Sequence, residues 1–269
     1  MNDPSITVRA SSWSTLFDCA YRFEGIHLLN MRNVVGLRAA LGTSIHAGTA
    51  IFDQGRIDLD GTTADDAVGA FLDKLRDPEN EFDPRRDDLN MKKAEQIGAV
   101  LVSRYCSEIS PLYTFAAVEM TTKPLDIDCG HGTVVRLTGT LDRSRIRRTS
   151  GGIGISDIKS GSTAVQDGVA KTKGHAAQLG TYEMLYEHTT GEVITEPGEI
   201  IGLKTSAKPE VGTGTILNAR RVMVGTETQP GLIEFAAEMF RTGNFYPNPS
   251  SRLCSEKYCP RHATCHFKD

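Results

Sequence analysis

The chain has 269 residues, 39% hydrophobic and 24% charged, the balance of an ordinary globular protein with enough apolar residues to bury a core. Its formal net charge of −4 excludes a protein that coats nucleic acid through bulk charge, which needs a basic excess, although a local basic groove can coexist with an acidic remainder. No apolar run reaches the length needed to cross a bilayer, and the N-terminus lacks a basic segment followed by an apolar one. Neither a membrane span nor export is indicated, and a cytoplasmic location is expected.

Taken in chain order, residues 11–20 open with two serines and carry Trp13, Leu16 and Phe17 at helical spacing, which predicts a capped amphipathic helix ending near Cys19. Further helices are predicted over 43–52, 63–75 and 91–109, the last from Ile97, Val100, Leu101 and Tyr105. From Phe115 the pattern changes to short β-rich stretches at 115–121, 134–143 and 153–158, separated by glycine-containing turns at 128–132 and 149–152. A helix over 174–186, a strand over 200–205 and a helix over 232–241 complete the order expected of an α/β sandwich with a mixed sheet. The organisation expected is one domain over 1–269: a helical part to residue 110, a core over 111–242, and a cysteine-rich tail over 243–269.

The chemistry concentrates on the second and third predicted strands. Asp142 falls near the end of one and Asp157 near the end of the next, and the glycine-rich hairpin between them can bring the two carboxylates together. Residues two apart on a strand share a face, so Asp157 and Lys159 project to the same side if the strand persists to Lys159. Two carboxylates and an ammonium match phosphodiester hydrolysis: hard oxygen ligands for Mg²⁺ or Mn²⁺, a nucleophilic water, and positive charge for a pentavalent phosphorus. An Asp-x-Lys triplet taken alone reads as a surface ion pair. Gln178 and Tyr182, four apart, share one face of the following helix, and His46 lies in the second predicted helix, where a core or surface histidine is the plain alternative.

In this order the residues resemble the RecB-like branch of the PD-(D/E)xK nuclease superfamily. The resemblance rests on Gly-Thr-Leu-Asp at 139–142, Asp-Ile-Lys at 157–159, Gln178 with Tyr182, and the upstream His46. The segment from Ser11 to Phe23 and the cysteine-rich tail extend it over nearly the whole chain. It implies a restriction-endonuclease-like α/β core with a mixed sheet, in which His46, Asp142, Asp157 and the Ile158 carbonyl hold the metal. Lys159 is then the catalytic lysine, and Gln178 and Tyr182 support the site and contact DNA. Glu119 is similar to an accessory acidic residue of some members, with a solvated strand carboxylate as the alternative.

Members of that branch, which includes CRISPR-adaptation exonucleases, hold a [4Fe-4S] cluster through one cysteine before the core and three after it. Cys19 precedes, and Cys254, Cys259 and Cys265 follow. The gap between Cys254 and Cys259 is longer than the commonest spacing, and His262 and His266 lie nearby, which keeps structural Zn²⁺ open as the alternative. Cys106 and Cys129 read as a buried thiol and a turn residue. The implied function is cleavage of DNA, with single-stranded ends as the substrate, in recombination, repair or CRISPR adaptation, alone or beside a protein partner of that pathway. The rival functions are a structure-specific or restriction-type endonuclease and a catalytically silent DNA-binding scaffold.

Overall fold

The computed structural model describes residues 5–268. Strand β1 (Ser5–Arg9) leads into helices α1 (Trp13–Asp18) and α2 (Ala20–Phe23), then α3 (Leu37–Asp58), α4 (Ala64–Arg76) and α5 (Met91–Arg104). Strands β2 (Thr114–Thr121), β3 (Leu125–Asp128), β4 (Val134–Thr138), β5 (Thr140–Ile146) and β6 (Ile153–Gly161) follow. After the short strands β7 (Val165–Gln166) and β8 (Val169–Ala170) come α6 (Ala176–Thr190), β9 (Gly198–Lys204), β10 (Glu210–Ile216), α7 (Ala219–Val224) and α8 (Leu232–Thr242). None of the described helices is long and apolar enough to cross a membrane.

A seven-stranded mixed sheet in the order β2-β5-β6-β9-β10-β8-β7 forms the middle layer, and a three-stranded sheet, β1-β4-β3, lies apart from it. Strands β2, β5 and β6 form the antiparallel meander the sequence predicts, whereas β6 and β9 run parallel with α6 as their crossover. Side chains of successive strand residues point to opposite faces, and Ile200 and Ile201 accordingly enter two different cores. One core joins the sheet to α3, α4 and α5; the other joins it to α1, α2, α6, α7, α8 and the small sheet. The mixed α/β sandwich is therefore the architecture found.

Several boundaries differ from the sequence pattern for identifiable reasons. The first predicted helix starts at Trp13 rather than Ser11 and ends as expected at Cys19, whose backbone is extended (φ −152°, ψ 98°) before the short helix α2. The predicted strand 134–143 is two strands in two sheets, divided at Gly139. A Cβ there would stand 2.9 Å from the Tyr182 ring and 3.3 Å from Ala10, so only glycine lets the chain cross between the sheets so close to α6. As a result Asp142 is the third residue of β5 rather than near a strand end, a correction to the sequence reading. Strand β6 continues past Lys159, and β1, β3 and β10 are strands the sequence pattern did not single out. Helix α3 runs for 22 residues, more than twice its predicted length, because Leu37, Leu41 and Ile45 keep one apolar stripe facing the core.

Helix α3 is fastened to the sheet by a polar network with no access to water. Arg143 on β5 and Asp53 on α3, both 0% exposed, form an ion pair at 2.6 Å. Asp53 also accepts hydrogen bonds from the Tyr105 hydroxyl and the Ser110 hydroxyl, each at 2.5 Å. Arg143 donates to the Asp142 carbonyl (2.7 Å) and to the Thr49 hydroxyl (3.2 Å). A buried charge that loses its partner is costly, typically about 3–5 kcal/mol. Asp53→Ala should therefore lower the unfolding free energy by about that amount in urea denaturation, because Arg143 is left charged and dry. Tyr105→Phe, which leaves the ion pair intact, should cost about 1.5–3 kcal/mol, the range for a hydrogen bond to a charged group.

Candidate active site

The ladder of the large sheet is interrupted on both sides of Asp142. Toward β2, the register holds Val118 opposite Arg143 and Met120 opposite Leu141 but skips Glu119, the residue that faces Asp142. Glu119 has a left-handed backbone (φ 46°), which for a non-glycine residue costs on the order of 1–3 kcal/mol and is concentrated at functional sites. Toward β6, pairing stops at Arg143 opposite Ser156, and the next amide, Ile158 N–H, donates instead to the Asp142 side chain at 2.7 Å. The strands fork here, and the opening between them is filled by carboxylates.

Five elements bring side chains to this fork. The His46 Nδ1 of α3 lies 3.6 Å from Asp142 Oδ2, and donor atoms of His46, Glu119 and Asp142 all fall within 4.8 Å of one another, close enough to share one cation. Among the described residues it is the one such group of three or more histidine, cysteine or acidic side chains. Asp157 and Lys159 share a face of β6, with Lys159 Nζ 2.6 Å from Asp157 Oδ2. The Oδ2 atom is buried, and the Lys159 ammonium is its partner. On α6, Gln178 Nε2 donates to Asp157 Oδ1 and to the Tyr182 hydroxyl, both at 3.1 Å. The residues singled out from the sequence at this centre thus meet in space.

Charge is concentrated and poorly hydrated. Asp157 is pushed above the ordinary aspartate range first by burial and then by Asp142, with Lys159 opposing. Glu119 is raised by burial and by Asp142, although Arg143 Nη1 reaches it at 3.2 Å. His46 is lowered chiefly by burial, so its imidazole is the neutral form that can ligate a metal. A buried carboxylate, a neutral imidazole and acids held above their usual range form a donor set that a hard divalent cation fits.

The model of the PD-(D/E)XK nuclease superfamily matches residues 8–266. The chain belongs to that superfamily. PD-(D/E)XK nucleases use divalent metals, which agrees with the donor set at the fork. No curated protein matches the chain. A solved structure from Eubacterium rectale, described as a candidate exonuclease, is similar over 89% of this chain and 83% of its own, with 14% identity and a TM-score of 0.49.

The superfamily's sequence pattern does not reveal the support behind the site. Arg143, adjacent to Asp142 in sequence, grips Asp53 and Glu119 at once. The signal available was a helical one: Asp53 lies seven residues after His46, on the same side of α3. The four cysteines Cys19, Cys254, Cys259 and Cys265 line a single cavity far along the chain from this centre, together with His262, whose buried Nδ1 has no partner. His266 is not part of that lining. None of the six cysteines is in a disulfide. Cys106 is buried, and Cys129 lies in the 128–132 turn.

The raised carboxyl of Asp157 has a consequence for stability. A folded state that holds a proton more tightly than the unfolded chain loses stability as pH rises from the ordinary aspartate value through the raised one. Without metal, Asp157→Asn should therefore melt at a higher temperature than the parent at about pH 8, and the gap should close toward about pH 4. If Asp157 helps hold a divalent metal, the same variant should also lose most of any rise in melting temperature that the metal gives the parent, since ligand stabilisation follows affinity for the folded state. Lower stability of Asp157→Asn at alkaline pH would contradict this account of the site.

Proposed function

We propose that this nuclease hydrolyses DNA with Mg²⁺ or Mn²⁺, shortening single-stranded ends as an exonuclease in recombination, repair or CRISPR adaptation. The observation that carries the reading is the meeting of Asp142, Asp157 and Lys159 at the fork between β5 and β6, with Gln178 fixing Asp157. The direction toward single-stranded ends rests on the resemblance to the RecB-like branch. His46, Asp142, Asp157 and the Ile158 carbonyl would hold the metal, with Glu119 beside them. The bound cation would supply Lewis acidity toward the phosphate and lower the pKa of a water.

The remaining work falls to the chain's own groups. Lys159 places a positive charge against Asp157, where negative charge builds on the phosphoryl oxygens as the water oxygen adds and the bond to the sugar oxygen breaks. Its ammonium also orients the water, whose proton leaves to solvent, and the departing sugar oxygen takes a proton from solvent. Gln178, held by Tyr182, keeps Asp157 in one orientation; loss of such outer partners typically costs about 10–100-fold. The neutral His46 supplies a donor nitrogen without adding charge. The whole chain acts as one nuclease domain in this reading, since residues from Val8 to Phe240 share a core.

For the tail, the reading is a [4Fe-4S] cluster on Cys19, Cys254, Cys259 and Cys265 that joins the chain ends. The four line one cavity, and one cysteine before the core with three after it is the arrangement of the RecB-like branch's cluster. The tail's own contacts already bring it to the front of the chain. Ser251 donates to Asp18 (2.6 Å), the Asn248 amide to Cys19 Sγ (3.4 Å), and Arg261 lies 3.4 Å over the Tyr21 ring.

End-labelled linear single and double strands and a circular single strand, each with Mg²⁺, Mn²⁺ or chelator, test the function. Metal-dependent loss of the linear single strand with the circle intact is expected; cutting of the circle assigns an endonuclease. Asp142→Ala and Asp157→Ala should each lose more than about 100-fold, beyond the cost of an outer partner, and Lys159→Ala should lose turnover while still binding single strands. Full activity in either aspartate variant removes the assignment, and binding without cleavage under all conditions leaves the scaffold. Elemental analysis of anaerobically purified protein should find iron and sulfide. Cys259→Ser should be colourless and poorly soluble, because cluster ligation is coupled to folding; zinc without iron would replace the cluster.

A further inference from the structure

Beside the fork, a groove of about 490 Å³ opens from Lys159 along the residues that lead into α6. Its walls carry Lys171, Lys173 and His175 from the segment after β8 and the hydroxyls of Ser11 and Ser14 from the opposite side. No carboxylate lines it, in a chain whose acidic residues outnumber its lysines and arginines 34 to 30. Some exposed cations of this protein are neutralised locally, as Arg147 is by Glu196 and Arg76 by Glu95. Lys171 and Lys173 are exposed and, like Lys92 and Lys208, have no ion-pair partner among the described residues; what distinguishes them is their place beside Lys159 in a groove without a carboxylate. His175 adds no charge, because burial, then Lys159 and Lys171, lower its pKa to about 4.

The groove also lacks what would read a base. No phenylalanine, tyrosine or tryptophan lines it, and its one ring is the His175 imidazole, so it lacks the row of aromatic rings on which successive unpaired bases stack. It contains no arginine, asparagine or carboxylate for paired hydrogen bonds to base edges, and its single amide, Gln178, is engaged by Asp157 and Tyr182. What remains is unpaired positive charge with hydroxyl donors, continuous with the lysine of the cleavage site. That chemistry suits a run of phosphodiesters.

We propose that this groove holds the sugar-phosphate backbone of the substrate strand next to the bond that is cut, with Lys171 and Lys173 against its phosphates and the bases left unread. The inference rests on the nuclease reading and adds to it the residues that carry the strand and the reason cleavage is indifferent to sequence. Binding of this kind acts through counterion release, and each phosphate contact contributes about 0.7 to the slope of log affinity against log salt for single strands.

Steady-state cleavage of a fluorescein-labelled oligothymidylate and of a mixed-sequence oligonucleotide of equal length, across a salt series, tests the groove. Lys171→Ala/Lys173→Ala should raise KM by about tenfold or more at moderate salt, with the loss in KM rather than kcat. It should flatten the salt slope of kcat/KM by about 1.4, two contacts at 0.7 each, equally for both oligonucleotides. Lys171→Arg/Lys173→Arg should restore most of the slope, and Lys92→Ala/Lys208→Ala, which removes the same charge elsewhere, should keep it. If the alanine pair in the groove matches that control, or its loss depends on base identity, the groove is not a backbone track. A parent protein that cleaves neither oligonucleotide with any metal instead removes the nuclease reading on which the proposal stands.

Discussion

The buried ion pair between Asp53 and Arg143 is the constraint around which the rest is arranged. Both groups have lost all contact with water, a condition tolerable only when every lone pair and N–H is satisfied. Meeting that condition requires Tyr105 and Ser110 from the turn after α5, Thr49 from α3 and the Asp142 carbonyl from β5. Helix α3 is thereby fixed in rotation and height against the sheet, which sets where His46 stands seven residues earlier. Arg143 also reaches Glu119. A single buried guanidinium thus positions three elements that contribute side chains to the fork.

The fork is a place where the sheet gives up backbone pairing for carboxylate placement. On one side Glu119 adopts a left-handed backbone; on the other the Asp142 side chain takes an amide that a neighbouring strand would otherwise have used. Both features cost stability in an isolated fold, and the raised proton affinity of Asp157 and Glu119 has the same origin. Strain and crowded negative charge are tolerated at a centre that carries the donor set for a divalent cation. The rigid network behind it keeps the opening from collapsing.

The two ends of the chain follow a different logic. Residues after α8 form no strand and bury little, with Cys259 the one buried cysteine among them. Their attachment to α1 and α2 comes from polar and cation–π contacts with Asp18, Cys19, Tyr21 and Glu24. Cys19, in extended backbone between α1 and α2, has its Sγ 3.4 Å from the Asn248 amide of the tail.

By itself the sequence determined the α/β class and the order of its main elements, and it singled out the candidate site residues. Asp142, Asp157 and Lys159 were legible because strand periodicity puts 157 and 159 on one face, and Gln178 with Tyr182 because helical periodicity does the same at a spacing of four. The α/β class followed from the succession of helical and alternating segments. Only the tertiary structure decided that the stretch 134–143 is two strands in two sheets, because the limit at Gly139 is the Tyr182 ring, 43 residues away in sequence. It alone joined Asp53 to Arg143, a pair 90 residues apart, and gathered Lys171, Lys173, Ser11 and Ser14 around one groove. Local periodicity reports which side of an element a residue occupies; it carries no information on which distant element lies across from that side, and burial of charge, strain and grooves are all properties of that opposition.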